Sequence, residues 1–196
     1  MEHCAVMSNP DIHAHVIAAC QQGDREAVRL LFETYKDRIY SIAFYFFHGD
    51  ETSAKDIMQE VFLKLMTKLE RFRRDAEFTT WLYRLVANAC LDEQRRRRRF
   101  VFFGDEAPSG RAAERRTQED RYLEHELADS VQAAIKTLKP KLRMAILLKY
   151  FEDLSYEEMA EVLGCSSGTV ASRLHRGHEI LARKLAHLRG AVVSGA

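Results

Sequence analysis

Apolar residues recur at three- and four-residue spacing along most of the chain, a period that predicts helices. From Asp24 to Phe47, one stripe collects Ala27, Leu30, Leu31, Ile39, Ile42, Ala43 and Phe46. A second helix is predicted from Thr52 or Ser53, both suited to N-capping, with Ile57, Val61, Leu65 and Leu69 at successive i+4 positions. Its opposite face carries Asp56, Gln59, Glu60 and Lys64. A third helix starts at Thr79 or Thr80, repeats Leu82, Leu85, Val86 and Ala89, and runs toward arginines, which suit a helix C-terminus. A shorter helix around Ile12 to Cys20 precedes all three.

The period lapses from Phe100 to about Arg121, where Gly104, Pro108, Ser109 and Gly110 predict a linker. The run Phe100-Val101-Phe102-Phe103 is costly to leave in water and is expected to dock. Beyond it, Leu127, Val131, Ala134, Ile135 and Leu138 form a stripe that stops at Lys139-Pro140, and Pro140 opens a further helix to about Phe151. Ser155-Tyr156-Glu157-Glu158 fits a capping box that starts a short helix to Leu163. Gly164-Cys165-Ser166 makes a turn, and the last helix turns Val170, Leu174 and Ile180 inward and Ser172, Arg173, His175 and Arg176 outward. The predicted fold is all-α, two small helical domains joined by a flexible linker, the C-terminal one a helix-turn-helix. The boundaries are an N-terminal extension 1–22, a first module 23–99, a linker 100–122, a second module 123–190 and a tail 191–196.

Composition narrows the function. With 46% hydrophobic residues, and 30 Lys and Arg against 29 Asp and Glu in 196 residues, the chain is globular rather than disordered. No apolar run reaches the roughly 20 residues that span a bilayer, so membrane insertion is not expected and the cytoplasm is. The four cysteines are scattered, and Cys-x-x-Cys, His-Glu-x-x-His and Gly-x-x-x-x-Gly-Lys patterns are missing, so no metal, cofactor or catalytic residue is expected. His3, Cys4, His13, His15 and Cys20 are spaced too irregularly for a zinc site and read as a polar tail. Charge is segregated along the chain. Arg71 to Arg99 holds nine basic residues against four acidic, and Leu163 to Arg189 five against Glu179 alone, two patches suited to phosphates. Phe100 to Glu126 between them is acidic, with four basic residues against seven. Five consecutive arginines, Arg95 to Arg99, wrap around a helix, so some are expected at a helix end or in the linker.

Three motifs stand in order. They are Asp56-Ile57-Met58-Gln59-Glu60-Val61-Phe62, then Phe78-Thr79-Thr80-Trp81-Leu82-Tyr83-Arg84-Leu85 with Asn88, Asp92 and Arg95-Arg96, then Leu154 to Cys165 followed by Ser167-Gly168-Thr169-Val170 and Ser172-Arg173-Leu174. From Asp24 to Leu188 the chain resembles an extracytoplasmic-function (ECF) sigma factor of the sigma-70 family, with the first module as region 2 and the second as region 4. The resemblance implies a non-enzymatic initiation factor that binds core RNA polymerase through the β′ clamp helices and the β flap, recognises promoter DNA, and has an anti-sigma factor as a further partner. It assigns polymerase binding to Asp56, Met58, Gln59, Glu60 and Phe62, and promoter melting to Arg84, Asn88, Asp92, Arg95 and Arg96. It also implies capture of a flipped base by the loop from Glu70 to Glu77, with Phe72 as stacker and Arg71, Arg73 and Arg74 as phosphate clamps. Upstream-element contacts fall to Ser167, Gly168, Thr169, Ser172, Arg173, His175 and Arg176. Ala171 and Gly177 depart from the family pattern, which usually has Lys or Arg at the first and often Ala at the second. The alternative is an adaptor that binds an anti-sigma factor without reading promoters, a role with no need for Arg84 or the Arg95 to Arg99 run.

Overall fold

Short-range capping chemistry starts four of the helices. The computed structural model describes residues 14–70, 72, 77–102 and 122–188, with side chains described outside 100–102 and 122–127. Its helices are α1 (Ala14–Gln21), α2 (Arg25–Phe46), α3 (Glu51–Leu69), α4 (Phe78–Phe102), α5 (Tyr122–Lys136), α6 (Pro140–Glu152), α7 (Tyr156–Leu163) and α8 (Ser167–Lys184), followed by a 3₁₀ turn Ala186–Leu188. Regular structure among the described residues is all helical. Asp24 caps α2 by accepting from the N–H groups of Glu26 and Ala27. Asp50, rather than Thr52 or Ser53, caps α3, because its carboxylate accepts from both the N–H and the hydroxyl of Ser53. The capping box of Ser155 and Glu158 forms as read, and Gly164 ends α7 at φ 59°, the left-handed conformation that glycine adopts without a Cβ clash.

The stripes become a core. Leu31, Ile39, Ile42, Ile57, Val61, Leu65, Leu82, Val86 and Cys90 are buried where α2, α3 and α4 pack, and Val16, Ile17 and Cys20 of α1 cover the start of α2. Each fully buried aliphatic chain stabilises by roughly 1.5 to 3 kcal/mol. Gln21 donates its side-chain amide to the carbonyls of Leu69 and Phe72, satisfying the end of α3. In the second module α6 is buried on several faces, with Met144, Ala145, Leu147 and Leu148 all inaccessible between α2 and α8. Gly177 explains one departure noted above, since a Cβ there would sit 3.0 Å from Cδ1 and Cγ1 of Ile146.

Two findings differ from the sequence reading. α4 continues to Phe102, so the backbone of 100–102, assigned above to the linker, is helical and all five arginines lie inside the helix. Tyr122, the last residue of the predicted linker, opens α5, and residues 103–121 fall outside the described residues, as do His3, Cys4 and His13. The second finding is that the two modules are docked, and their cores form one continuous cluster. Arg38 of α2 pairs with Glu152 of α6 at 3.0 Å, with side chains only 6% and 2% exposed. The Tyr83 hydroxyl of α4 donates to the same carboxylate. Burial pushes the Glu152 carboxyl upward against the pull of Tyr83 and Arg38, while the same burial and the Glu152 charge push the Tyr83 phenol up. Tyr45 packs on Phe151 with ring centroids 4.9 Å apart, and Arg84 donates to the Glu161 carbonyl at 3.0 Å.

His48 sits at this seam with φ 66°, and its Nδ1 is buried without a hydrogen-bond partner. Burial, then the charges of Arg143 and Lys136, lower its pKa from 6.5 to about 4. The folded state therefore favours neutral His48: its contribution is full above about pH 6.5 and is lost as pH falls toward 4. Because the ring is only half-buried, the loss is on the order of 1 to 2 kcal/mol. Urea midpoints measured at pH 7 and pH 4.5 should differ accordingly in the native chain. They should differ less in His48→Asn, which tolerates the same positive φ. An equal pH slope in both proteins would remove His48 as the cause.

Candidate nucleic-acid interface

The outward face of α3 follows from its inward one. With Ile57, Val61, Leu65 and Leu69 filling the core, Asp56 and Gln59 are exposed and Glu60 is half-buried, paired with Lys64 one turn on. Met58 and Phe62 are partly buried, and Phe62 packs on Phe32 of α2 with ring centroids 4.6 Å apart. The sequence reading passed over two neighbours: Leu63 is 69% exposed and Met66 39%. They lie off the buried i+4 stripe, the signal by which they can be recognised as a second, outward apolar strip. Together with Phe62 they make this face part acidic and part apolar, a combination suited to a partner that is both basic and hydrophobic.

On α4 the predicted nucleic-acid residues separate into different roles. Asn88 is exposed, and Asp92 is exposed and paired with Arg95 at 2.7 Å. Arg96 pairs with Glu93 and stays exposed. Arg97 turns inward to Glu93, Asp50 and the ring of Phe47, tying α4 to the start of α3, so one member of the arginine run is structural. Arg98 and Arg99 face solvent. Arg84 is held by the Glu161 carbonyl of the other module. Phe72 packs with Phe78 and Trp81 at 5.7 and 5.1 Å, so it belongs to an aromatic cluster in this state. Arg71, Arg73 and Arg74 lie outside the described residues.

The second module presents a helix-turn-helix. Val170 and Leu174 of α8 are buried, which leaves Ser172, His175 and Arg176 outward and Arg173 partly exposed. Ser167 opens α8 and Gly168 is exposed, while Thr169 is engaged at the helix start by the Ser166 hydroxyl, 3.0 Å from its own. His175 lies 3.5 Å from Glu179. A helix so anchored, with a short capped helix behind it, has the form that enters a DNA major groove.

A two-module helical chain with an acidic–apolar face in the first half and a basic helix-turn-helix in the second defines a class, the sigma-type transcription factors. The description "Sigma-70 region 2" matches residues 31–100, and "Sigma-70, region 4" matches 128–181. The chain is 32% identical over 180 residues to the ECF RNA polymerase sigma factor SigW of Bacillus subtilis, covering 88% of this chain and 96% of that one. It is 34% identical over 185 residues to the ECF RNA polymerase sigma-E factor of Escherichia coli, covering 87% and 92%. The protein belongs to the ECF RNA polymerase sigma factors of the sigma-70 family. Its fold is similar to that of the sigma factor RpoE in complex with the anti-sigma factor NepR from Bartonella quintana, with a TM-score of 0.67 at 23% identity over 81% of this chain and 96% of that one. It is also similar to CnrH in complex with the cytosolic domain of CnrY, with a TM-score of 0.65 at 23% identity over 88% and 96%. Among the described residues no helix is long and apolar enough to cross a membrane.

Proposed function

We propose that this chain binds core RNA polymerase, directs it to promoter DNA and promotes opening of the duplex, acting in the cytoplasm without catalysis of its own. Residues 23–99 carry polymerase binding and promoter melting, and residues 123–190 carry upstream-element recognition. The observation that carries this reading is α8, which seats Val170 and Leu174 in the core and leaves Ser172, His175 and Arg176 outward on a helix-turn-helix. On α4, Asn88, Asp92, Arg95 and Arg96 form the melting face, and the loop with Arg71, Phe72, Arg73 and Arg74 receives a base. For Phe72 this requires leaving the contacts it makes with Phe78 and Trp81. On α8, arginine forks suit phosphate or guanine, and His175 with Ser172 supplies discrimination among the remaining bases. The β′ clamp helices take the α3 face of Asp56, Met58, Gln59, Glu60 and Phe62, extended by Leu63 and Met66. The β flap receives the second module. An anti-sigma factor is a third partner, by analogy with the similar fold of RpoE, determined in complex with the anti-sigma factor NepR.

The direct test is selection of promoter DNA from a random pool by polymerase reconstituted with this chain, followed by transcription from the selected sequence. Enrichment of two separated elements supports the reading; association with polymerase without enrichment supports the adaptor instead. The α3 assignment has its own test. Asp56→Arg places a cation where a basic partner is expected and should weaken affinity for core polymerase about tenfold or more, with helicity and urea midpoint unchanged. A folded Asp56→Arg protein with native affinity would take this face out of the interface.

A further inference from the structure

Docking of the two modules brings basic residues from three helices around one cleft of about 920 Å³. Arg95 and Arg98 of α4 form one wall, Lys139 and Lys141 at the start of α6 the second, and Arg173 and Arg176 of α8 the third, with Arg183 at the far end. Glu179 is the one acidic side chain in the lining. Arg95 has Asp92 as a partner, whereas Arg98, Lys139, Lys141, Arg173 and Arg176 make no ion pair with another described residue. Leu91, Leu142 and Ile180 give the cleft an apolar floor.

Like charges that share one cleft repel, and among the described residues only Glu179 in the lining and Asp92, paired with Arg95, offset them. We propose that the cleft is a binding site for an anion with contiguous phosphates, either a nucleoside polyphosphate or an inorganic polyphosphate. Size and charge density select that class. The volume matches a nucleotide-sized ligand, whereas a duplex, whose major groove alone is about 12 Å wide, does not enter it. Successive phosphates put several charges within a few ångströms and suit the planar forks of Arg95, Arg98, Arg173 and Arg176, whereas an acidic peptide spreads its charges along an extended backbone. The site exists only while the modules are docked, because α4 belongs to one and α6 and α8 to the other. An occupant therefore stabilises the docked state. It also covers Arg95, Arg173 and Arg176, which the proposed function needs on DNA, so ligand and promoter oppose each other through one equilibrium.

Titration calorimetry on the full chain, at a constant ionic strength of about 0.15 M, tests this with inorganic tripolyphosphate, GTP, orthophosphate and a hexaglutamate peptide as probes. Saturable one-to-one binding of tripolyphosphate or GTP is expected, about tenfold or more tighter than either orthophosphate or the peptide. GTP the tighter of the two assigns the apolar floor to a base, and equal affinities assign the site to the phosphate chain; both outcomes support it. Lys141→Gln and Arg183→Gln, exposed positions with no role in packing, should each weaken binding several-fold. Glu152→Ala, which disturbs the docking and lies outside the cleft, should weaken it at least as much. Tripolyphosphate binding that survives at native affinity in a folded Glu152→Ala protein whose radius of gyration shows the modules apart would mean that separate patches bind it, overturning the proposal. So would peptide binding as tight as that of tripolyphosphate, or native affinity in both lysine and arginine variants. None of these readouts involves polymerase or a promoter, so their failure is distinguishable from failure of the proposed function.

Discussion

Glu152→Ala is expected to separate the two modules while each keeps its helices. The substitution leaves the Arg38 guanidinium, 6% exposed, buried without its carboxylate and removes the acceptor of the Tyr83 hydroxyl. Breaking a buried pair from one side costs about 3 to 5 kcal/mol, more than the net value of the pair, because the remaining charge stays buried after losing that compensation. Undocking relieves that cost at once, since it returns Arg38 to water. The least expensive response is therefore opening rather than unfolding. A docked chain of this length has a radius of gyration of about 16 Å, and small-angle scattering should show a clear increase in the variant with little change in helical circular dichroism. Opening also frees Arg84 from the Glu161 carbonyl. Binding of the free chain to DNA should therefore rise at low salt and fall again with added salt, as phosphate contacts require. An unchanged radius of gyration would show that the apolar seam holds the modules without this pair.

Arg143→Ala is expected to give the largest loss of stability. The side chain is 3% exposed and donates to four carbonyls: Ile135 at 3.2 Å, Lys136 at 3.0 Å, Leu138 at 2.7 Å and Phe46 at 2.8 Å. These oxygens lie at or just past the C-termini of α5 and α2, where helix carbonyls have no internal partner and the dipole favours a cation. One guanidinium thus satisfies two helix ends from two modules and lies over the Phe46 ring, 5.5 Å from its centroid. Burial lowers its pKa to about 10, which still leaves it charged at neutral pH. With about 1 to 3 kcal/mol for each buried group left unsatisfied, and some relaxation, a loss of about 3 to 5 kcal/mol is expected in urea unfolding. Arg143→Lys should recover only part of it, because an ammonium cannot span four acceptors in the geometry of the fork. Full recovery by lysine would show that charge alone, not the fork, is required.

Much of this architecture is written in local pattern. Ile57, Val61, Leu65 and Leu69 announce the inward face of α3, Pro140 the start of α6, Ser155 and Glu158 the capping box, and Gly164 the left-handed turn, because each is a statement about residues within one or two turns of one another. The helix-turn-helix and its outward row on α8 are legible for the same reason. The division of labour within the arginine run is not. Arg97 is drawn inward by Asp50 and Phe47, residues about 50 positions earlier, and nothing in five identical side chains marks which of them will meet such a partner.

The docking of the modules was decided wholly by tertiary structure. A helical period records which face is apolar, not which face it will meet, and the contacts that join the modules include charged residues to which the pattern gives no partner. Arg38, Arg143 and Glu152 belong to no motif of the sequence, yet all three are buried, and Arg38 and Glu152 stand 114 positions apart. The burial of Arg38 and Glu152 is tolerable because each finds the other across the seam, whereas Arg143 finds three carbonyls in its own module and that of Phe46 across it. Sequence alone determined two helical modules, the capping box and left-handed turn of the second, and the chemistry of their outer faces. The fold decided that the two basic faces converge on one cleft, since like charges approach each other only where apolar burial and a buried ion pair elsewhere on the seam hold them there.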